Sequence, residues 1–150
     1  MFCIDKSDTL KCYAEPQTKP AEGDDDDDDD ADDDELWKEV NLGQANSVKV
    51  HPKSQLEVSI SKHGIMVFYQ APDGSLNSIT NKGKDWELVG PLSAGVLEGT
   101  PLACFVSNEK LLLFYMTQDN CIHYLTKDAQ KEEWTGKHLG IAKDITWRSY

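Results

Sequence analysis

"IMVFYQAPDGSLNSI" occupies residues 65–79 and "LLLFYMTQDNCIHYL" occupies 111–125. The two stretches hold one register without a gap. Phe68 and Phe114, Tyr69 and Tyr115, Asp73 and Asp119, Gly74 and Asn120, Leu76 and Ile122, and Ile79 and Leu125 each lie 46 residues apart. Self-similarity at that period marks one supersecondary unit used repeatedly.

Working outward, each repeat divides into four short apolar runs. One repeat reads "QLEVSI" (55–60), "IMVFYQ" (65–70), "SLNSIT" (75–80) and "DWELV" (85–89); the next reads "PLACFV" (101–106), "LLLFYM" (111–116), "CIHYLT" (121–126) and "EEWTGKHL" (132–139). Runs this short, rich in β-branched and aromatic residues, are strands. "PDGS" and "QDN" between the middle runs supply the left-handed backbone of tight hairpins. Each repeat is therefore a four-stranded antiparallel meander, and no convincing amphipathic helix appears.

A third copy stands at the N-terminus. In "MFCIDKSDTLKCY", Phe2 and Leu10 are eight apart, as are Phe68 and Leu76. The offset from Phe2 to Phe68 is 66 residues, 20 more than the period. The excess coincides with "EGDDDDDDDADDDE" (22–35), which reads as an insertion between the third strand of that copy and Trp37. "WKEVNLG" (37–43), "WELVGPL" (86–92) and "WTGKHLG" (134–140) close the three copies alike.

A meander of this size has two apolar faces and cannot bury them alone, so the repeats must stack. Radial stacking of four-stranded units makes a β-propeller; flat stacking into a sandwich is the alternative, and a strict period fits a ring better. The expected fold is all-β. A partial blade covers 1–43 and carries the acidic insertion at 22–35; whole blades cover 44–92 and 93–140; residues 141–150 begin a further strand. The total is about three blades, whereas propellers have about four to eight. Such an arc is expected either to self-associate or to belong with further blades.

The formal net charge is −12, and its placement matters more than its size. The 22–35 run holds twelve of the 27 acids and no base, which leaves 15 acids against 15 bases elsewhere. No basic footprint for nucleic acid is present, and no apolar run is long enough to span a membrane as a helix. "MFCIDKSDTL" interrupts any signal-peptide core with Asp5 and Asp8, so a cytoplasmic location is expected, with secretion by a non-classical route left open. Cys3, Cys12, Cys104 and Cys121 form no C-x-x-C pair. Reduced thiols are expected, the exception being a Cys3–Cys12 bridge across a hairpin. The scattered His51, His63, His123 and His138 imply no metal, and no catalytic triad, acid pair or phosphate loop is recognisable. No cofactor and no enzymatic activity are expected.

The pattern of apolar strand, "xxxFY", Asp-Gly turn, apolar strand and Trp resembles the fungal fucose-specific lectin family, six-bladed propellers, and its two-blade bacterial relatives that trimerise. The resemblance covers about 55–140, and 1–43 without the insertion. It implies a non-enzymatic glycan-binding protein whose sugars sit between neighbouring blades. It implies sugar-stacking roles for Trp37, Trp86 and Trp134, with inter-blade packing as their other reading. The family's Arg position falls on Met1, Val67 and Leu113, its Glu position on Cys12, Ser78 and Tyr124, and its second aromatic on Glu15, Asn81 and Lys127. None of these residues matches. Tyr69 and Tyr115 read as core or cleft wall. The expected function is thus carbohydrate binding, of fucosylated or related glycans, without the family's polar ligands. The alternative is a propeller scaffold that has lost sugar binding and offers its acidic loop to basic protein partners.

Because the insertion joins two strand ends and repels itself, deletion of 22–35 is expected to leave the fold intact. Circular dichroism and a thermal melt of the shortened chain check this, and loss of the cooperative transition would contradict it.

Overall fold

The computed structural model describes residues 1–15, 37–61, 64–83, 85–128 and 133–139. The acidic insertion and residues 141–150 lie outside them. The described chain is all-β apart from one 3₁₀ turn, Gly43–Ser47.

Three antiparallel sheets follow one another along the chain. The first is β1 (Phe2–Ile4), β2 (Leu10–Ala14) and β3 (Lys38–Glu39), in that order. The second is β4 (Glu57–Ser61), β5 (Gly64–Gln70), β6 (Leu76–Asn81) and β7 (Trp86–Ser93). The third is β8 (Ala103–Ser107), β9 (Lys110–Met116), β10 (Ile122–Asp128) and β11 (Trp134–His138). Strands are consecutive neighbours in every sheet, so each sheet is a meander and a propeller blade. By repeat position β1 corresponds to β5 and β9, and the first sheet lacks a counterpart of β4 and β8 among the described residues.

The repetition reaches the backbone hydrogen bonds. Asp8, Gly74 and Asn120 share one repeat position, and all have positive φ, 57°, 83° and 59°. Their N–H groups donate to the carbonyls of Asp5, Ala71 and Thr117 at 3.0, 2.8 and 2.8 Å. The N–H groups of those three residues in turn donate to Thr9, Ser75 and Cys121. Asp, Gly and Asn tolerate the left-handed region best, which is why different residues build one turn. Outside the strands, the Ser54 hydroxyl accepts the Gln70 N–H at 2.8 Å, and the Thr100 hydroxyl, 46 residues on, accepts that of Met116 at 2.7 Å.

Alternation along the strands gives the middle sheet two buried faces. Val67, Tyr69 and Ile79 pack toward the first sheet, with Leu10, Cys12, Leu42 and Val50. Phe68 and Leu76 pack toward the third, with Leu102, Leu111, Leu113, Tyr115 and Leu125. Each fully buried large side chain contributes roughly 1.5–3 kcal/mol relative to exposure. Polar ties cross the second seam. Glu57 accepts the Cys104 N–H at 2.9 Å. The buried Gln70 side chain accepts the Gly99 N–H through Oε1 and donates through Nε2 to the carbonyls of Gly74 and Leu97. Burial pushes the Cys104 thiol up to about 11.

The four cysteines are all free. The β1–β2 register pairs Phe2 with Cys12 and Cys3 with Lys11. Cys3 and Cys12 therefore point to opposite faces, and the bridge admitted by their spacing does not form.

Gly64 opens β5 at φ +115°, and a Cβ there would lie 1.9 Å from the Asn81 carbonyl oxygen. Gly64→Ala combines left-handed strain with a backbone clash and is expected to cost at least about 2 kcal/mol. Urea unfolding against the wild type measures it; an unchanged midpoint would show that β5 and β6 part easily.

Candidate functional site

The outer strands of the first two blades do not meet fully. Between them lies a cleft of about 490 Å³ lined by Asn41, Leu42, Gly43, Gln44, Asp85, Trp86 and Glu87. One wall is the connection that leaves β3; the other is the start of β7.

The first wall is held by its own side chains. Asn41 Oδ1 accepts the Gly43 N–H at 2.8 Å and the Asn46 amide at 2.6 Å, and Asn46 Oδ1 accepts the Leu42 N–H at 2.8 Å. Gly43, at φ +58°, opens the 3₁₀ turn and leaves space where a Cβ would stand. Leu42 and Ala45 anchor the turn in the core. The backbone beneath Gln44 is thus fixed while the Gln44 side chain is exposed.

The second wall is Asp85-Trp86-Glu87. Trp86 packs against the first core, with its ring 5.4 Å from Phe2 at an interplanar angle of 75°. That edge-to-face contact joins the blades, yet the indole still lines the cleft. Asp85 and Glu87 are exposed on either side, and neither forms an ion pair among the described residues. The cleft therefore offers one aromatic surface, two carboxylates and two amide side chains. Amides and carboxylates read hydroxyl groups, and an indole covers an apolar C–H face.

The three repeat tryptophans do not converge. Trp134 stands in the second seam, 5.8 Å from Phe68 at 86°, with the Lys127 ammonium 5.7 Å above its ring. Its Nε1 is buried without a hydrogen-bond acceptor among the described residues. Trp37 is 50% exposed on the outward face of the first blade. Among the described residues Trp86 is the repeat tryptophan that joins a seam to a polar cleft, and only Trp86 has an acid on both sides in sequence. Asn41, Gln44, Asp85 and Glu87 did not stand out in the sequence; "DWE" was the one available signal.

The positions implied for an Arg–Glu pair are filled differently. Val67 and Leu113 are fully buried in the two seams, and Met1 is exposed. Cys12 and Ser78 are buried, and Tyr124 is half-buried. Ser78 pairs with Phe68 across β5–β6, so Val67 and Ser78 lie on opposite faces and do not meet. Met66, which does share the face of Ser78, is apolar. Tyr69 and Tyr115 are core residues, with the Tyr115 hydroxyl 2.9 Å from that of Ser93. No cluster of three or more His, Cys, Asp or Glu side chains able to hold a metal occurs among the described residues.

No family model and no curated protein matches the chain. Solved structures do. AofleA from Arthrobotrys oligospora superposes with TM-score 0.66 at 17% identity, over 91% of this chain and 37% of that one. The fucose-specific lectin of Aleuria aurantia gives 0.66 at 20% identity, over 99% and 46%. A further structure of that lectin, described as a six-bladed β-propeller with a novel mode of fucose recognition, gives 0.64 at 19%. The chain spans less than half the length of these proteins, and in fold it is a partial copy of their propeller.

If the indoles are seam wedges, Trp134 and Phe68 are energetically coupled. A double-mutant cycle with Trp134→Leu and Phe68→Leu is expected to give about 0.5–1.5 kcal/mol of interaction energy in chemical denaturation. Additive effects would show that the ring contact contributes nothing beyond area.

Proposed function

We propose that the chain is a non-enzymatic carbohydrate-binding propeller that takes a neutral glycan in the cleft at Trp86. The observation that carries this reading is the cleft itself, an indole flanked by Asp85 and Glu87 and faced by Asn41 and Gln44 at a blade seam. Its support is the fold, shared with fucose-binding lectins, one of which is solved in complex with α-methyl-L-fucoside. The pyranose lies with its C–H face on Trp86, and its hydroxyls bond the carboxylates and amides. Two carboxylates without an ion pair among the described residues disfavour sialylated or sulfated ligands by like-charge repulsion and leave fucosylated and other neutral glycans as the class. Charge-assisted hydrogen bonds to Asp85 and Glu87 stand in for a bidentate Arg.

A second reading has its own observation. Val67 and Leu113, at two of the Arg positions, are fully buried in the seams, so a propeller that has lost sugar recognition and serves as a scaffold for basic protein partners fits them equally.

A glycan array with fucosylated, non-fucosylated neutral and sialylated ligands side by side separates the two. Neutral ligands are expected to bind, and Gln44→Ala and Glu87→Gln to weaken binding by about tenfold each without moving the melting temperature. These exposed residues are cleaner probes than Trp86→Ala, which also removes the Phe2 contact. Silence on the array from folded protein would reject the sugar reading in favour of the scaffold.

A further inference from the structure

The polarity of the Trp86 cleft can be assigned atom by atom. The Gly43 N–H, a backbone donor, bonds a terminal atom of the Asn41 side chain at 2.8 Å, so that atom is the oxygen, Oδ1. The Leu42 N–H fixes the Asn46 amide in the same way, and this turns Asn46 Nδ2 toward Asn41 Oδ1 at 2.6 Å. Two backbone donors therefore settle the orientation of both amides. The Asn41 oxygen is committed twice to its own loop, and its Nδ2 has no partner among the described residues. Asn41 is exposed and lines the cleft, so what it offers a ligand is an N–H donor.

The facing wall offers the opposite. Ionised carboxylates only accept hydrogen bonds. The Asp85 and Glu87 side chains are exposed and form no ion pair among the described residues. Trp86 between them adds an aromatic surface. A ligand lying across the cleft must therefore show an acceptor to one wall, a donor to the other and C–H groups to the ring. A hydroxyl carries donor and acceptor on one oxygen and cannot serve two walls at once. An ammonium is a donor only, and it would meet the Asn41 N–H with like polarity. A trans secondary amide meets all the demands without charge. It is planar, its C=O and N–H point to opposite edges, and the methyl of an acetyl group supplies C–H contacts for an indole.

We infer that the cleft selects a sugar bearing a 2-acetamido group, an N-acetylhexosamine. The acetamido carbonyl accepts from Asn41 Nδ2, its N–H donates to the carboxylate of Asp85 or Glu87, and its methyl and the pyranose C–H face lie on Trp86. The inference rests on the sugar reading of this cleft and narrows its class. The pyranose, rather than another acetylated group, follows from the breadth of the indole, which a ring of C–H groups covers better than a single methyl.

Isothermal titration of the full chain with the methyl glycosides of N-acetylhexosamine, free hexosamine and hexose, in gluco and galacto forms, tests it, because each set differs only at C2. The acetamido glycoside is expected to bind about tenfold more tightly than the hydroxyl one, and saturation-transfer NMR to mark its acetyl methyl most strongly. Asn41→Asp keeps an oxygen for Gly43 and Asn46 but replaces the donor facing the cleft by an acceptor. It is expected to abolish the preference without moving the melting temperature. Equal binding of the three glycosides would overturn the inference, as would a preference for the amine or one that survives Asn41→Asp. An Nε-acetyl-lysine peptide that binds more tightly than the sugar would overturn the sugar class. Binding of fucosides alone would overturn this inference and leave the sugar reading standing, whereas silence toward every glycoside, fucosides included, would remove both.

Discussion

Everything in this architecture follows from a sheet that is apolar on both faces. A four-stranded meander of strands five to eight residues long alternates its side chains, and here both alternations are apolar. Val67 looks one way and Phe68 the other, and both are fully buried. Such a sheet is unstable alone and becomes stable only as a layer between two others. The Trp–Phe edge contact sets how those layers meet. A ring edge presented to a ring face has a preferred distance and angle, and nearly the same geometry appears in both seams. Strand pairing holds each blade together, but the seam decides how one blade stands on the next.

The seam also creates the site. Blades pack closely where Phe, Leu and Val interdigitate and part toward their outer strands, where β7 starts and the connection after β3 leaves the sheet. The first seam opens there into the cleft at Trp86. The repeat makes the seams equivalent in framework and leaves their outer residues free to differ. Beside Trp134 the corresponding positions carry Glu133 and Thr135, and the positions of Asn41-Leu42-Gly43-Gln44 are taken by Gly90-Pro91-Leu92-Ser93, the end of β7. Lys127 caps that indole as well. Both indoles are half-buried, but one lies under a lysine while the other lies among carboxylates and amides, although both obey the same packing rule.

The fold was legible because it is written in spacing. The 46-residue register announces equivalent turns, and Asp8, Gly74 and Asn120 meet that demand with three residue types that share a tolerance for positive φ. The site was far less legible. Asn41 and Glu87 are 46 residues apart for reasons unrelated to the repeat, and nothing in either local sequence says that they face one another. The Trp residues were visible, but their division of labour depends on what covers each ring, which is a property of neighbouring blades. That Val67 and Ser78, at the positions the resemblance implies for Arg and Glu, lie on opposite faces was illegible for a related reason. Spacing along two strands does not reveal which faces they share until the pairing register is known. Cys3 and Cys12 lie close in the hairpin and were separated by the same register.

This division bears on how a propeller changes its chemistry. Residues such as Val67 and Leu113 occupy the centre of a seam, where apolar packing and polar recognition compete for the same volume. An apolar side chain there strengthens the stack but removes a charged donor; a charged one needs a partner or solvent and loosens the stack. In this chain packing has taken the centre of both seams. Polar groups are left to the outer rim, where Gln44, Asp85 and Glu87 are solvated and cost the fold little. Recognition at the rim relies on fewer desolvated contacts, so each hydrogen bond there is worth less than one buried between blades. On the proposed reading the indole would be the main source of binding energy, and it is tied to the stack as well, because the ring that would hold a sugar is the same ring that holds Phe2.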